Sequence, residues 1–498
     1  MSVTRIRSRW LVAWDGERQR LVERGELILE GDRVKAVALD YEGHVDVEVD
    51  AGEELLLPGF VNAHLHAGSF AVGRLFADTL PREPRALGFL HYAAPREDAA
   101  GAPAALDVAS EAEATLRECL RHGCTTVVEV GGETGVSAEA TVAAAAEVGV
   151  RVAVGHGFRS QDYLTRRDGT IGYRPRDGRG APDLARAIAF AEALRAADDP
   201  SVRPVLFPLQ VDTCDGELLR EAHAAAERLD LPLQLHAAQG WHEYATVMDR
   251  TGRSPIAWLA ELGVLSPRTT LAHAAYLSGH SQLPFAADDD LALLAESGAG
   301  VVHCPTVLAR RGIALESLER YRARGVRVAI GTDTFPRDPV VEARLAAYLS
   351  RVLDRDPGAG DPWTMLSAIT DVSADLLGAA DLGRLAPGAR ADVVGVRLDR
   401  LRHGPVFDPV VTWFHTANGD DVARVWVGGC ERFNRDDARA AARERQLRAR
   451  QAAGADQAWH ALAGWHPSTL PASELAAEST ARRWRREGTA RTGRGDTM

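Results

Sequence analysis

Pro58-Gly59-Phe60-Val61-Asn62-Ala63-His64-Leu65-His66 follows directly on the apolar run at residues 55–57. This composition reads as a turn and then a buried strand. Side chains at i and i+2 of a strand share a face. The stretch therefore presents His64 and His66 side by side at the C-terminal end of a strand. That spacing suits two nitrogen ligands on one metal ion. It also suits a packed strand-end pair, so the other strands have to decide.

Further along, residues 125–130, 151–157, 202–209, 231–237, 269–275, 299–304 and 326–331 are apolar, β-rich runs. Between them lie Ala-, Glu-, Leu- and Arg-rich stretches with helical spacing, such as 104–122, 137–148, 183–197 and 217–229. Counting the strand at Phe60, eight strand–helix units occupy residues 58–380. Continuous apolar strands alternating with helices indicate a parallel sheet, and eight units fit a (β/α)8 TIM barrel. A doubly wound sheet is the alternative, disfavoured because no Gly-rich phosphate turn follows the first strand.

Residues 1–57 carry short strands at 10–14, 25–30, 34–38 and 45–49, and similar patterning returns at 383–395 and 422–429. Two β-rich pieces flanking a long centre predict one composite β-sandwich built from both chain ends, 1–57 plus 381–432. Residues 433–498 read as a helical extension, with helix over 436–455 and a disordered polar end from 486. A long insertion at 67–104 (Phe70, Arg74, Phe76, Phe89, His91, Tyr92) suits an active-site lid and equally a solvated, partly mobile loop. An irregular stretch at 159–182, with Tyr163, Arg166, Arg167, Tyr173 and Arg174, follows the third strand.

The 498 residues are 46% hydrophobic and 26% charged, enough for one large and one small domain. A net charge of −12 argues against nucleic acid or an anionic membrane as partner. No run of about 18 apolar residues spans a membrane, and the first ten residues lack an apolar signal core. The five cysteines are scattered and odd in number, without disulfide or zinc spacing. These features predict a cytoplasmic protein acting on a small molecule. Lysine occurs once, at Lys35.

The expected strand ends are rich in polar groups: His236 on the fifth, His273 on the sixth, His303 on the seventh and Asp333 on the eighth. In a barrel these ends converge on one rim. His64, His66, His236, His273 and Asp333 would then surround one point, and such a set describes a catalytic divalent-metal site.

The same residues carry a resemblance. Pro58–His66, His236, His273 and Gly331-Thr332-Asp333 occur in the order found in the amidohydrolase superfamily. Gly383 to Asp392 resembles the signature with which its small β domain resumes. The sequence Val302-His303-Cys304-Pro305 is similar to the branch holding guanine and cytosine deaminases and triazine hydrolases such as atrazine chlorohydrolase. The resemblance covers about residues 10–430. It implies that His64, His66, His236 and Asp333 bind one divalent ion, Zn²⁺ or Fe²⁺, and that His273 contacts substrate or the metal's water. It also implies a homodimer. Two-metal members use a carboxylated lysine on the fourth strand; no lysine lies anywhere in this barrel, so one metal is expected. Mononuclear deaminases usually carry a glutamate three residues after the fifth-strand histidine, where this chain has Gln239. An amide can orient water or substrate but cannot exchange a proton near neutral pH.

The expected chemistry is hydroxide generated at the metal attacking an sp² carbon of a nitrogen-rich heterocycle, amidine or guanidine-like substrate. Asp333 takes and later delivers a proton, while His273 and His280 stabilise developing charge. Protonation of the leaving group falls to Asp333, His273, His303, Glu129 or Glu133. His280, His303 and the forks of Arg310, Arg311 and Arg337 are candidates for substrate binding, the arginines for an anionic group or, as structure, for pairing with Asp338 or Glu342. Two alternatives stay open: hydrolysis of a cyclic amide or imidazolone-type C–N bond, and a catalytically altered ligand-binding chain.

Overall fold

The computed structural model describes residues 2–69, 108–132, 136–167, 170–284 and 289–463. The candidate lid from Phe70 onward, Glu133 and the chain end from 486 lie outside the described residues.

All eight expected central strands form. We number them β1 (Phe60–Leu65), β2 (Cys124–Glu129), β3 (Arg151–Val154), β4 (Val202–Pro204), β5 (Leu233–Ala237), β6 (Thr269–His273), β7 (Gly300–His303) and β8 (Val328–Ile330). They make two four-stranded sheets, in the orders β4-β3-β2-β1 and β5-β6-β7-β8, with every pairing parallel. The sequence predicts one continuous barrel. Here the sheets meet through isolated bridges, Leu206 with Leu233 and Gln210 with His236 on one side and Leu65 with Asp333 on the other. Both gaps have local causes. Pro204 and Pro208 interrupt the chain around β4, and proline has no N–H for the ladder. At the other side the chain turns immediately after β8, where Asp333 adopts φ +57°.

Strand composition explains the burial. Every residue of β1, β2, β5, β6 and β7 is buried, as expected for a parallel sheet covered by helices. The helix Val108–Arg121 turns Ala112, Leu116, Cys119 and Leu120 inward at i, i+4, i+7, i+8 spacing. Gly216–Leu229 begins at Asp215, whose side chain accepts the Leu218 N–H at 2.9 Å, and buries Leu218, Leu219, Ala222 and Ala226.

The chain ends interlock in β structure. A six-stranded sheet runs Cys430–Asn434, Val422–Val427, Val393–Arg397, Glu54–Pro58, Trp10–Trp14, Gln19–Glu23. A four-stranded sheet runs Arg33–Ala38, Glu26–Glu30, Val3–Arg7, Val47–Asp50. Ile6, Leu27 and Leu29 of the smaller sheet pack against Leu11, Leu56, Val393 and Trp426 of the larger. Lys35 lies on the Arg33–Ala38 strand, paired with Glu30 at 2.8 Å. The 383–392 stretch, expected as strand, is a turn leading into the strand that starts at Val393. Asp392 ends that turn and joins the two parts of the molecule. Its buried carboxylate accepts from Arg151 Nε at 2.9 Å, and its carbonyl accepts the Gly59 N–H at 2.9 Å. Gly59 itself must lack a side chain, because a Cβ there would stand 2.2 Å from Thr125 Oγ1.

The terminal helix runs Ala438–Ala463, longer than predicted, and is fastened to helix Val108–Arg121 by Arg443–Glu113 and Arg121–Glu444 ion pairs. Among the described residues no helix is long and apolar enough to cross a membrane.

Candidate metal centre

The strand ends bring five side chains together. His64 and His66 of the β1 segment meet edge to face, with ring centroids 5.2 Å apart. His236, in β5, stacks on His66 at 5.3 Å, and their Nε2 atoms are 3.3 Å apart. His273 closes β6 with its ring 5.4 Å from His64 and 5.5 Å from His236. Asp333 follows β8; its Oδ1 is 3.5 Å from His66 Nε2 and its Oδ2 is 3.7 Å from His273 Nε2. All five residues are buried. Ligand atoms of His64, His66 and His236 lie within 4.8 Å of one another, as do those of His64, His273 and Asp333.

The backbone around these groups is unusual. Ala238, His273, Ala274 and Asp333 all have positive φ, between 41° and 75°. Non-glycine residues hold such conformations only where the surroundings over-determine them. The link between β1 and β8 shows how. His64 carbonyl accepts the N–H groups of Thr332 (3.1 Å) and Asp333 (2.9 Å), and His66 N–H donates to Asp333 carbonyl at 2.8 Å. Asn62 completes the clamp, accepting from Thr332 N–H at 3.0 Å and donating to its hydroxyl at 2.8 Å. Gly331 permits the approach, since a Cβ there would stand 2.8 Å from His64 Cβ.

Tautomers follow from the acceptors. His236 Nδ1 faces the Leu209 carbonyl at 2.7 Å, which only accepts, so this nitrogen carries the proton. Its Nε2 then offers a lone pair toward His66. His64 Nε2 and both ring nitrogens of His273 have no hydrogen-bond partner despite full burial. Burial and the neighbouring imidazoles hold His64 and His273 well below the usual histidine range, so both are neutral. Burial raises Asp333, opposed by the charges of His236, Arg311, Arg310 and Arg337. The Nε2 lone pairs of His64 and His236 thus converge beside the Asp333 carboxylate. A divalent cation resolves the arrangement, and neutral imidazoles with a carboxylate are the donor set for one.

The sequence pattern of the amidohydrolase family matches residues 55–431. The chain belongs to the amidohydrolase family. Among curated relatives, 5-methylthioadenosine/S-adenosylhomocysteine deaminase of Haloarcula marismortui is 30% identical over 417 residues, covering 82% of this chain and 88% of the relative. The protein of the same name from Thermodesulfovibrio yellowstonii is 27% identical over 436 residues, 85% and 92% of the two chains. Among solved structures, an adenosine deaminase from Xanthomonas campestris with bound zinc superposes with TM-score 0.71 at 24% identity, over 90% of this chain and 98% of that one. Atrazine chlorohydrolase TrzN from Arthrobacter aurescens TC1, complexed with zinc, gives TM-score 0.70 at 22% identity over 89% and 99%. As an amidohydrolase, the chain is a hydrolase of carbon–nitrogen bonds.

Other expected site residues of this amidohydrolase divide sharply. Gln239 is buried, and its Oε1 has no hydrogen-bond partner. His303 is buried at the end of β7; burial pushes it down to about 3, so it is neutral, and its Nδ1 lacks a hydrogen bond. Arg310 is exposed with its guanidinium 3.9 Å above the Phe335 ring, and Arg311 is half-buried. Glu129 is wholly buried at the end of β2, which excludes an exposed loop position.

Two residues do not lie as expected. His280 spends both ring nitrogens on backbone: Nε2–H donates to the carbonyl of Ala314, in the segment after β7, at 3.0 Å, and Nδ1 accepts the Gln282 N–H of its own loop at 3.1 Å. Arg337 is fully buried, with Nη1 on Glu118 at 3.1 Å and Nη2 3.5 Å from the His66 carbonyl. Both are therefore occupied as scaffold rather than directed at a substrate.

Some features escaped the sequence reading. Gln234 precedes His236 by two on β5, so it shares that residue's face, a signal that the i, i+2 rule contains. The stretch after β3, expected as irregular, is an antiparallel hairpin of Gln161–Thr165 and Ile171–Pro175. Tyr163 and Tyr173 pair across it and donate to the two oxygens of buried Asp212 at 2.6 and 2.7 Å. His242 Nε2 stands 3.3 Å from Tyr173 hydroxyl, and Arg250 stacks 4.1 Å over that ring.

Proposed function

We propose that this chain is a metal-dependent aminohydrolase that removes an exocyclic amino group from a nitrogen-rich heterocycle and releases ammonia. The observation that carries the reading is that buried His64 and His236, their tautomers fixed by acceptors behind the rings, turn Nε2 lone pairs inward beside the unpartnered ring of His273 and the Asp333 carboxylate. The deaminase names of the relatives support a 6-aminopurine nucleoside as first substrate class to test.

In this reading the two parallel sheets are halves of one (β/α)8 barrel over 58–380, closed by the Leu206–Leu233 and Leu65–Asp333 bridges. The β-sandwich comprises 1–57 and 381–432, and 433–498 is an extension. His64, His66, His236 and Asp333 would hold one Zn²⁺, an ion suited to imidazole and carboxylate ligands. When bound, such an ion acidifies a water molecule and polarises the substrate.

The protein's own groups do the rest. Asp333 Oδ2, 3.7 Å from His273 Nε2, accepts a proton from the attacking water and returns it to the leaving amine. His273, neutral and unpartnered, meets the substrate atom on which charge develops. Gln239 orients substrate by hydrogen bonding and leaves proton transfer to Asp333. His303 contributes a neutral nitrogen to the rim, and Arg310 and Arg311 attract anionic groups of the substrate.

Metal analysis of the purified protein, with ammonia release measured on 5′-methylthioadenosine, S-adenosylhomocysteine, adenosine, guanine, cytosine and aminotriazines, tests the proposal. Zinc near one equivalent and ammonia from at least one purine are expected. A metal-loaded protein that opens a cyclic amide without releasing ammonia overturns it.

A further inference from the structure

Beyond the ligands themselves, we infer that Glu243 is a positioning residue for the metal centre, setting His236, Gln239 and His273 together through the two consecutive peptide units that flank Ala238. The inference rests on the proposed metal site and adds a residue to it.

Glu243 lies in the first turn of the helix Trp241–Thr251, which starts after Gly240. A glutamate at this third helical position normally reaches back to the N–H of the residue that caps the helix. Glu243 reaches further. Its Oε1 accepts the Ala238 N–H at 2.5 Å and its Oε2 accepts the Gln239 N–H at 3.0 Å. Both acceptors thus serve the strand-end segment that carries His236, rather than the helix.

Glu243 is only 1% exposed. Among the described residues no arginine or lysine makes a salt bridge with it. Burial and the nearby charge of Asp212 push its carboxyl up to about 8, against the pull of the two amides. A buried acid group without a cationic partner is costly, and an apolar side chain would fill the volume at lower cost.

What the carboxylate secures is Ala238, an alanine at φ +52°. A left-handed alanine costs about 1–2 kcal/mol and needs support from both sides. Glu243 supplies it on the N–H side. On the other side, Ala238 carbonyl accepts the N–H groups of Ala275 (3.0 Å) and Tyr276 (2.8 Å), while Ala237 carbonyl accepts from Ala274 at 3.0 Å. Ala274 and His273 are themselves left-handed, at φ 41° and 75°. The segments following β5 and β6 are therefore fastened to each other at Ala238. His236 lies two residues before Ala238, Gln239 directly after it, and His273 at the start of the segment these peptides hold. Rotating the two peptides that flank Ala238 displaces all three side chains together.

The test uses the full chain with Glu243→Gln and Glu243→Asp. Glutamine keeps the volume but turns an NH₂ toward one of the two N–H donors, so one bond becomes a donor–donor contact. Zinc affinity is read by competition with a chromophoric chelator, and ligand geometry by the absorption spectrum of the cobalt(II)-substituted protein. Melting of the metal-free protein is recorded in parallel. Wild type is expected to bind one zinc. Glu243→Gln is expected to bind it about 10–100-fold more weakly, as for other residues that orient metal ligands, with an altered cobalt spectrum. Glu243→Asp is expected to fall between the two, and it carries the test if the glutamine variant does not fold. Zinc affinity within twofold of wild type and an unchanged cobalt spectrum, with only melting shifted, overturn the inference and leave Glu243 a structural residue. Failure of the wild type to bind zinc overturns the metal site itself and is distinguishable from that result.

Discussion

Gln234 holds His64 in a single tautomer: its Oε1 is 2.8 Å from His64 Nδ1, while its Nε2 donates to the Ala63 carbonyl at 3.1 Å. A carbonyl only accepts, so the amide can point only one way, and Nδ1 of His64 must carry the proton. Nε2 is left with its lone pair toward the centre. Gln234→Leu removes that orientation and leaves Nδ1 without an acceptor. Zinc affinity is expected to fall about 10–100-fold, measured by chelator competition. An affinity equal to wild type would show that packing alone orients the ring.

Arg337 was expected to anchor substrate and instead spans Glu118 and the His66 carbonyl from a fully buried position. Arg337→Met removes the cation that Glu118 faces at 3.1 Å. Breaking one side of a buried pair typically costs about 3–5 kcal/mol. Urea unfolding of the metal-free variant is expected to show a loss of this order, with KM of the folded enzyme changed less than threefold. A large rise in KM with unchanged stability contradicts the scaffold role.

Asp212 receives both hairpin tyrosines, and burial raises its carboxyl above the ordinary range. Asp212→Ala removes one charged acceptor from each hydroxyl, leaving Tyr163 with Gln210 and Tyr173 with His242, at about 1–3 kcal/mol each. Hydrogen exchange is expected to quicken across residues 161–175 while β5 to β7 stay protected. Uniform acceleration over the whole chain would mean that the bond supports global rather than hairpin stability.

Glu342 gives a pH signature. It is fully buried, with Oε2 on the Thr306 N–H at 2.9 Å and Oε1 lacking a hydrogen bond. Burial, with Asp338 adding to it, pushes the carboxyl from 4.5 up to about 8. The folded chain then keeps a proton that the unfolded chain releases, so this group's contribution to stability falls as pH rises from about 4.5 to about 8 and is level above. Glu342→Gln removes that slope. The variant is expected to match wild type near pH 5 and exceed its unfolding free energy by roughly 1–4 kcal/mol near pH 8. Parallel pH profiles for the two proteins would refute the protonated carboxyl.

The strand positions and the five converging residues were legible because each left a local signal. Apolar β-rich runs of five or six residues stood between helical stretches, and His64–His66, His236, His273 and Asp333 each closed such a run. The hairpin at 161–175 was not legible: Gln161, Asp162, Arg166 and Arg174 dilute the alternation, and its stability comes from Asp212, distant in sequence. Nor could spacing tell Arg310, over the Phe335 ring, from Arg337, taken up by Glu118. The two share a residue type and a rim, and only three-dimensional partners separate them. His280 misled for the same reason, since its partners Ala314 and Gln282 belong to the loop fold rather than to any motif.

Lysine enters the chain once, and Lys35 stands on the Arg33–Ala38 strand of the small sheet, in the β-sandwich rather than among the histidines. An amine-reactive dye or surface linker therefore meets one lysine side chain, and attaching it there leaves the strand-end residues chemically untouched. Immobilised through that side chain, with the α-amino group blocked beforehand, the protein would present its histidine cluster in a uniform orientation, which makes binding measurements on it straightforward to interpret.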